Sequence, residues 1–116
     1  MSEWSKILEF NDKYFPQWRK RDPLYYSNAI LGELGEVANA LKKAIGGGTH
    51  RTKTKDEYIG DVQEELADVY IYLVMYAERM GMNEETFNKM ISAKVGVIER
   101  RMTSRIKRKL KRVKKC

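Results

Sequence analysis

Two pairs of carboxylates, Glu33-x-x-Glu36 and Glu65-x-x-Asp68, are the residues of this chain best placed by type and spacing to do chemistry. On a helix, residues three apart project from one side, so each pair presents its acids together. Like charges at that spacing destabilise an isolated helix by roughly 0.2–0.5 kcal/mol. The usual relief is a lysine or arginine one turn on, yet the i+4 positions are Val37, Ala40, Val69 and Tyr72. Four such acids facing one another across two packed helices call for an external cation. Carboxylate oxygens are the ligands that hard divalent ions such as Mg²⁺ prefer, and a centre of that kind handles phosphate. The competing reading of either pair alone is a solvated acidic face. Two pairs on consecutive helices, each in apolar surroundings, weigh against it.

Two long helices must position these acids, and the apolar periods supply them. Leu31, Leu34, Ala38, Leu41 and Ile45 recur at steps of three and four, which predicts a helix from about Leu24 to Ala44 closed by Gly46-Gly47-Gly48. Ile59, Val62, Leu66, Val69, Leu73, Tyr76 and Met80 repeat likewise, predicting a helix from about Asp56 to Met80 that Gly81 closes. Both seams are expected to be the buried stripes, with the acids flanking them. Upstream, residues 3–15 predict a short amphipathic helix with Ser2 as N-cap and Trp4, Ile7, Leu8 and Phe10 as anchors. Pro16 to Pro23 then form a basic connector that discourages a continuous helix.

Downstream, Asn83 caps a fourth helix with Glu84 and Glu85 in its first turn. Its stripe runs through Phe87, Met90 or Ile91, Lys94/Val95, Ile98 and Met102, and can be followed to Ile106, Leu110 and Val113. Residues 46–56 read as a mobile basic loop holding His50, the only histidine, which has no Cys or His partner for zinc. No strand-like alternation or internal repeat competes. The expected fold is an all-α bundle of four to five helices.

A length of 116 residues suits one domain with a modest core. No apolar run approaches the ~18–20 residues of a membrane span, and the start, MSEWSKILEF, lacks the form of a secretory signal. Cys116 is the single cysteine, which excludes an intrachain disulfide and points to a cytoplasmic setting. The net charge of +7 is unevenly spread. Residues 102–116 carry eight Lys/Arg and no acid, so the body before them is nearly neutral.

The stretch Leu31-Gly32-Glu33-Leu34-Gly35-Glu36-Val37 is followed by Glu65-Leu66-Ala67-Asp68-Val69, with 28 residues between Glu36 and Glu65. Together they resemble the signature of the MazG-like all-α nucleoside triphosphate pyrophosphohydrolases. That superfamily includes dimeric dUTPases, dCTP pyrophosphatases and phosphoribosyl-ATP pyrophosphatases. The resemblance covers residues 24–101 and implies a helical catalytic domain over 1–101 with a basic extension over 102–116. It implies hydrolysis of (deoxy)nucleoside triphosphates to the monophosphate and pyrophosphate. Glu33, Glu36, Glu65 and Asp68 would bind Mg²⁺, with Mn²⁺ as a substitute, and either Glu33 or Glu36 would serve as general base. Lys94, Arg100 and Arg101 would contact phosphates or sugar. A homodimer, or a tetramer built as a dimer of dimers, is expected.

The chain departs from the family pattern at two places. Gly32 stands where a further Glu is common, and Ile98 or Glu99 where an Asn is expected. The first removes one potential ligand or base. Trp18, Tyr25, Tyr26 and Asn28 lie on the approach to the first acidic helix, where they either contact a base or, for the aromatics, fill the core. Phosphoribosyl-ATP hydrolysis ranks lower because of the long Gly/Lys loop and the GELGE context. The alternative to an enzyme is a helical module that binds nucleic acid or a protein partner through its basic tail.

Overall fold

The computed structural model describes residues 1–46 and 52–115, and every regular element among them is helical. The order is α1 (Glu3–Tyr14), a 3₁₀ helix (Pro16–Lys20), α2 (Pro23–Gly46), α3 (Lys55–Arg79) and α4 (Glu84–Lys115). Two compact units result, Met1–Gly81 and Met82–Cys116. His50, Cys116 and most of the glycine-rich stretch expected to close α2 lie outside the described residues.

In the first unit, local chemistry explains where each helix begins. The Ser2 hydroxyl accepts the Ser5 amide at 3.1 Å and starts α1. Pro16 opens the 3₁₀ helix and Pro23 opens α2, where a missing N–H costs nothing. Asp22 accepts the Leu24 amide at 2.9 Å at that same start. Thr54 and Glu57 form a reciprocal capping box ahead of α3, with contacts of 3.2 and 3.4 Å. Gly81 follows α3 with φ of +84°, a left-handed conformation that glycine adopts without penalty.

The core gathers where α1 and the 3₁₀ helix meet the hairpin of α2 and α3. Trp18, Tyr26 and Met75 are its buried centre, flanked by Ile7, Leu8, Tyr72 and Tyr76. Polar atoms at this junction are satisfied as burial requires. The Tyr26 hydroxyl donates to the Trp18 carbonyl at 2.6 Å, and the Trp18 indole donates to Asp12 at 2.8 Å. Trp4 on α1 reaches across to Glu78 on α3 at 2.8 Å. Arg79 donates twice to the Arg21 carbonyl, at 3.1 and 2.8 Å. Phe10 departs from the sequence expectation: it is exposed and stacks locally on Tyr14 at 5.1 Å, while Asn11 takes the inward position.

Helices α2 and α3 pack antiparallel. Tyr26, early in α2, meets Met75, late in α3, while Lys43 at the far end lines one groove with Tyr58. The inward face of α2 is Tyr26, Ile30, Glu33, Val37, Ala40 and Ala44, all buried or half-buried. The leucine seam expected to be buried points outward instead, with Leu31 66% and Ile45 71% exposed, and Leu34 and Leu41 exposed as well. The C-terminal half of the inward face is small, Val37, Ala40 and Ala44, and the leucine stripe lies on the other side of the helix. On α3 the expected seam is half-buried at Ile59, Val62, Val69, Leu73 and Tyr76, whereas Leu66 and Met80 are exposed.

The second unit is α4. Asn83 accepts the Thr86 amide at 2.9 Å and caps it, with Glu84 and Glu85 in the first turn. The helix spans 32 residues and runs unbroken through the basic segment to Lys115. No described helix is long and apolar enough to cross a membrane.

Candidate metal centre

The antiparallel register sets the middle of α2 opposite the middle of α3, and with it the acids. Glu33, Glu36 and Glu65 each offer a carboxylate oxygen, and these oxygens lie within 4.8 Å of one another. Glu33 and Glu65 are half-buried on the faces that pack together, and Glu36 is exposed at the rim. The Glu33 placement differs from the flanking position expected, because the stripe that packs on α3 is the one containing it.

The electrostatics of this cluster are uncompensated. Among the described residues, no lysine or arginine forms an ion pair with Glu33, Glu36, Glu65 or Asp68. Glu33 Oε2 and Glu65 Oε2 are shielded from water and have no hydrogen-bond partner. The neighbouring Glu65 carboxyl raises the Glu36 carboxyl above its ordinary range. Glu65 is raised in turn, first by Glu33 and then by burial. A hard cation fits this donor set, which is all carboxylate and holds two orphaned acceptor oxygens.

Asp68 lies one turn beyond Glu65, exposed and outside the three-acid group. Its charge still reaches the cluster, since it adds to the upward shifts of Glu36 and Glu65. Three of the four expected ligands are therefore brought together, with the fourth at the edge.

Two cavities open on this unit, and the first of them reaches the acids. One, of about 350 Å³, is lined by Glu36 and Glu65 and extends past Asn39 and Lys43 to Lys53, Tyr58 and Asp61. Lys53 pairs with Asp61 there at 2.8 Å. Asn39, Lys43 and Asp61 were not singled out from the sequence. Their signal was positional, at i+3 and i+7 from Glu36 and i−4 from Glu65, the same faces as the acids.

The other cavity, of about 250 Å³, has aromatic walls that include Phe15, Trp18, Tyr25 and Tyr72. The Arg21 guanidinium lies over the Tyr25 ring, 4.4 Å from its centre. Burial raises the Tyr72 hydroxyl above its ordinary value, and Tyr25, Glu33 and Asp68 add to the shift. Trp18 is only 2% exposed and forms this wall from within the core, as does Tyr26. Asn28 is exposed on α2 and lines neither cavity.

The expected phosphate contacts belong to α4. Lys94 and Arg101 border a shallow depression with Met90 and Ile98. Arg100 folds back toward Gly96, its guanidinium 3.5 Å from where a Cβ there would stand. In comparisons of sequence and of structure, no family model, no curated protein and no solved structure matched this chain.

Proposed function

We propose that this protein is a Mg²⁺-dependent pyrophosphohydrolase of (deoxy)nucleoside triphosphates, acting as the MazG-like enzymes it resembles do. The reading rests on one observation above the others: Glu33, Glu36 and Glu65 converge, and two of their oxygens are withdrawn from water with no donor to meet them. Glu33, Glu36 and Glu65 would hold the ion, with Asp68 completing the set from the edge. When bound, Mg²⁺ neutralises phosphate charge and helps ionise an attacking water.

The chain's own residues divide the remaining tasks. Glu36 is the exposed acid of the cluster, so of Glu33 and Glu36 it is the one that water reaches and the better general base. Lys43 lines the groove beside Glu36, where it would meet the phosphate chain. Lys94, Arg100 and Arg101 are assigned further phosphate contacts on the resemblance alone. Tyr25 and Tyr72 offer aromatic surface for a base, with Trp18 shaping that cavity from behind and Asn28 left as an outer contact. A second copy of the chain covers the exposed seam of Leu31, Leu34, Leu41 and Ile45, whose spacing suits a facing helix.

The test is pyrophosphate release from a panel of nucleoside and deoxynucleoside triphosphates with Mg²⁺. Release should fall by ~10²–10⁴-fold in Glu36→Gln and fall measurably in Asp68→Asn. No release from any triphosphate, with Mg²⁺ or Mn²⁺, overturns the proposal.

A further inference from the structure

The basic end of α4 carries a second pattern that nucleotide hydrolysis does not use. Ile98, Met102, Ile106, Leu110 and Val113 follow one another at steps of four, four, four and three, so they line one side of a continuous helix. All five are exposed, from 48% at Met102 to 73% at Val113. The stripe extends over about 23 Å of helix. Arg105, Lys107, Arg108, Lys111, Arg112 and Lys114 fill most of the remaining circumference at its C-terminal end, and no acid falls in residues 102–116. We propose that this half of α4 lies flat on an anionic phospholipid surface, its apolar stripe in the acyl boundary and its cations among the headgroup phosphates.

Charge and apolarity together select this occupant. A second α4 laid alongside in parallel would set eight cations against eight, which repels. Nucleic acid would satisfy the cations through its phosphates and leave the five apolar side chains in water. A bilayer interface takes both along one helix: the stripe gains burial, and long Lys and Arg side chains beside it reach outward to phosphate. The segment cannot span, because its charged residues are too many. It therefore rests on the surface.

The experiment is co-sedimentation of the full chain with phosphatidylcholine vesicles, neutral or containing about 30% phosphatidylserine. Binding to the anionic vesicles should exceed binding to the neutral ones by at least about tenfold. The pair Ile106→Gln and Leu110→Gln keeps every charge and should weaken vesicle binding severalfold. Lys107→Gln with Lys111→Gln keeps the stripe and should weaken it as well. Far-UV circular dichroism of each variant verifies that the helix persists. Vesicle binding that ignores the two apolar substitutions, or equal binding to neutral vesicles, overturns the proposal. So does tight binding to a DNA or RNA oligonucleotide with none to vesicles.

Discussion

Glu33 and Glu65 pay for their position. A carboxylate oxygen removed from water without a donor loses hydration and gains nothing within the chain. Glu36 and Glu65 are both raised above their ordinary value of 4.5 by acidic neighbours. The sign of the linkage follows: the repulsion is absent below that ordinary value, where these groups are protonated in both states. It is complete once pH exceeds the raised folded value. The metal-free protein should therefore melt higher near about pH 5 than near about pH 7, and part of that gain should vanish in Glu36→Gln/Glu65→Gln. At neutral pH the same double substitution should raise the melting temperature of the metal-free protein. Added Mg²⁺ should stabilise the wild-type chain and leave the double variant unmoved. Scanning calorimetry at two pH values, with and without Mg²⁺, measures all of these. Equal responses in the two proteins would remove the cation from the site.

Among the elements, α3 has the best-defined start. Thr54 and Glu57 satisfy one another's amides across its first turn, which fixes where the helix that carries Glu65 and Asp68 begins. Thr54→Ala should cost about 1 kcal/mol, read from the urea midpoint. Much at this scale was legible in the sequence. The Ser2 and Asn83 caps, the Gly81 terminator and the four α-helices all follow from residue types with one dominant local use. What could not be read was which stripe of α2 turns inward. Leucines at steps of three and four say that a surface will be covered, and they do not say by what. The face that packs on α3 is written in Val37, Ala40 and Ala44, residues too small to announce a core. Phe10 erred for a related reason, since a large ring can stack on its own neighbours as readily as on another helix. The acidic pairs were legible as pairs. Their convergence depended on antiparallel register, which only packing between two helices supplies.

For the whole molecule, the exposed seam matters most. Leu31, Leu34, Leu41 and Ile45 on α2 leave an apolar face too continuous for scattered surface residues. Leu34→Glu with Leu41→Glu should shift the chain toward monomer in sedimentation equilibrium, because a buried charge in such a seam is strongly unfavourable. Leu34 and Leu41 are exposed whereas Glu33 and Glu65 are half-buried, so if the acids do hold a cation, the monomeric variant should still take up Mn²⁺, observable by electron paramagnetic resonance. A wild-type chain that sediments as a monomer at every concentration would remove the second copy from the proposal.

The placement of the tryptophans has a practical consequence. Both, Trp4 and Trp18, are buried in the Met1–Gly81 unit, and α4 contains none. Intrinsic fluorescence therefore reports the melting of one unit only, whereas ellipticity sums over every helix. The two optical signals, recorded on one sample, separate the fate of α4 from that of the acid-bearing hairpin without any label.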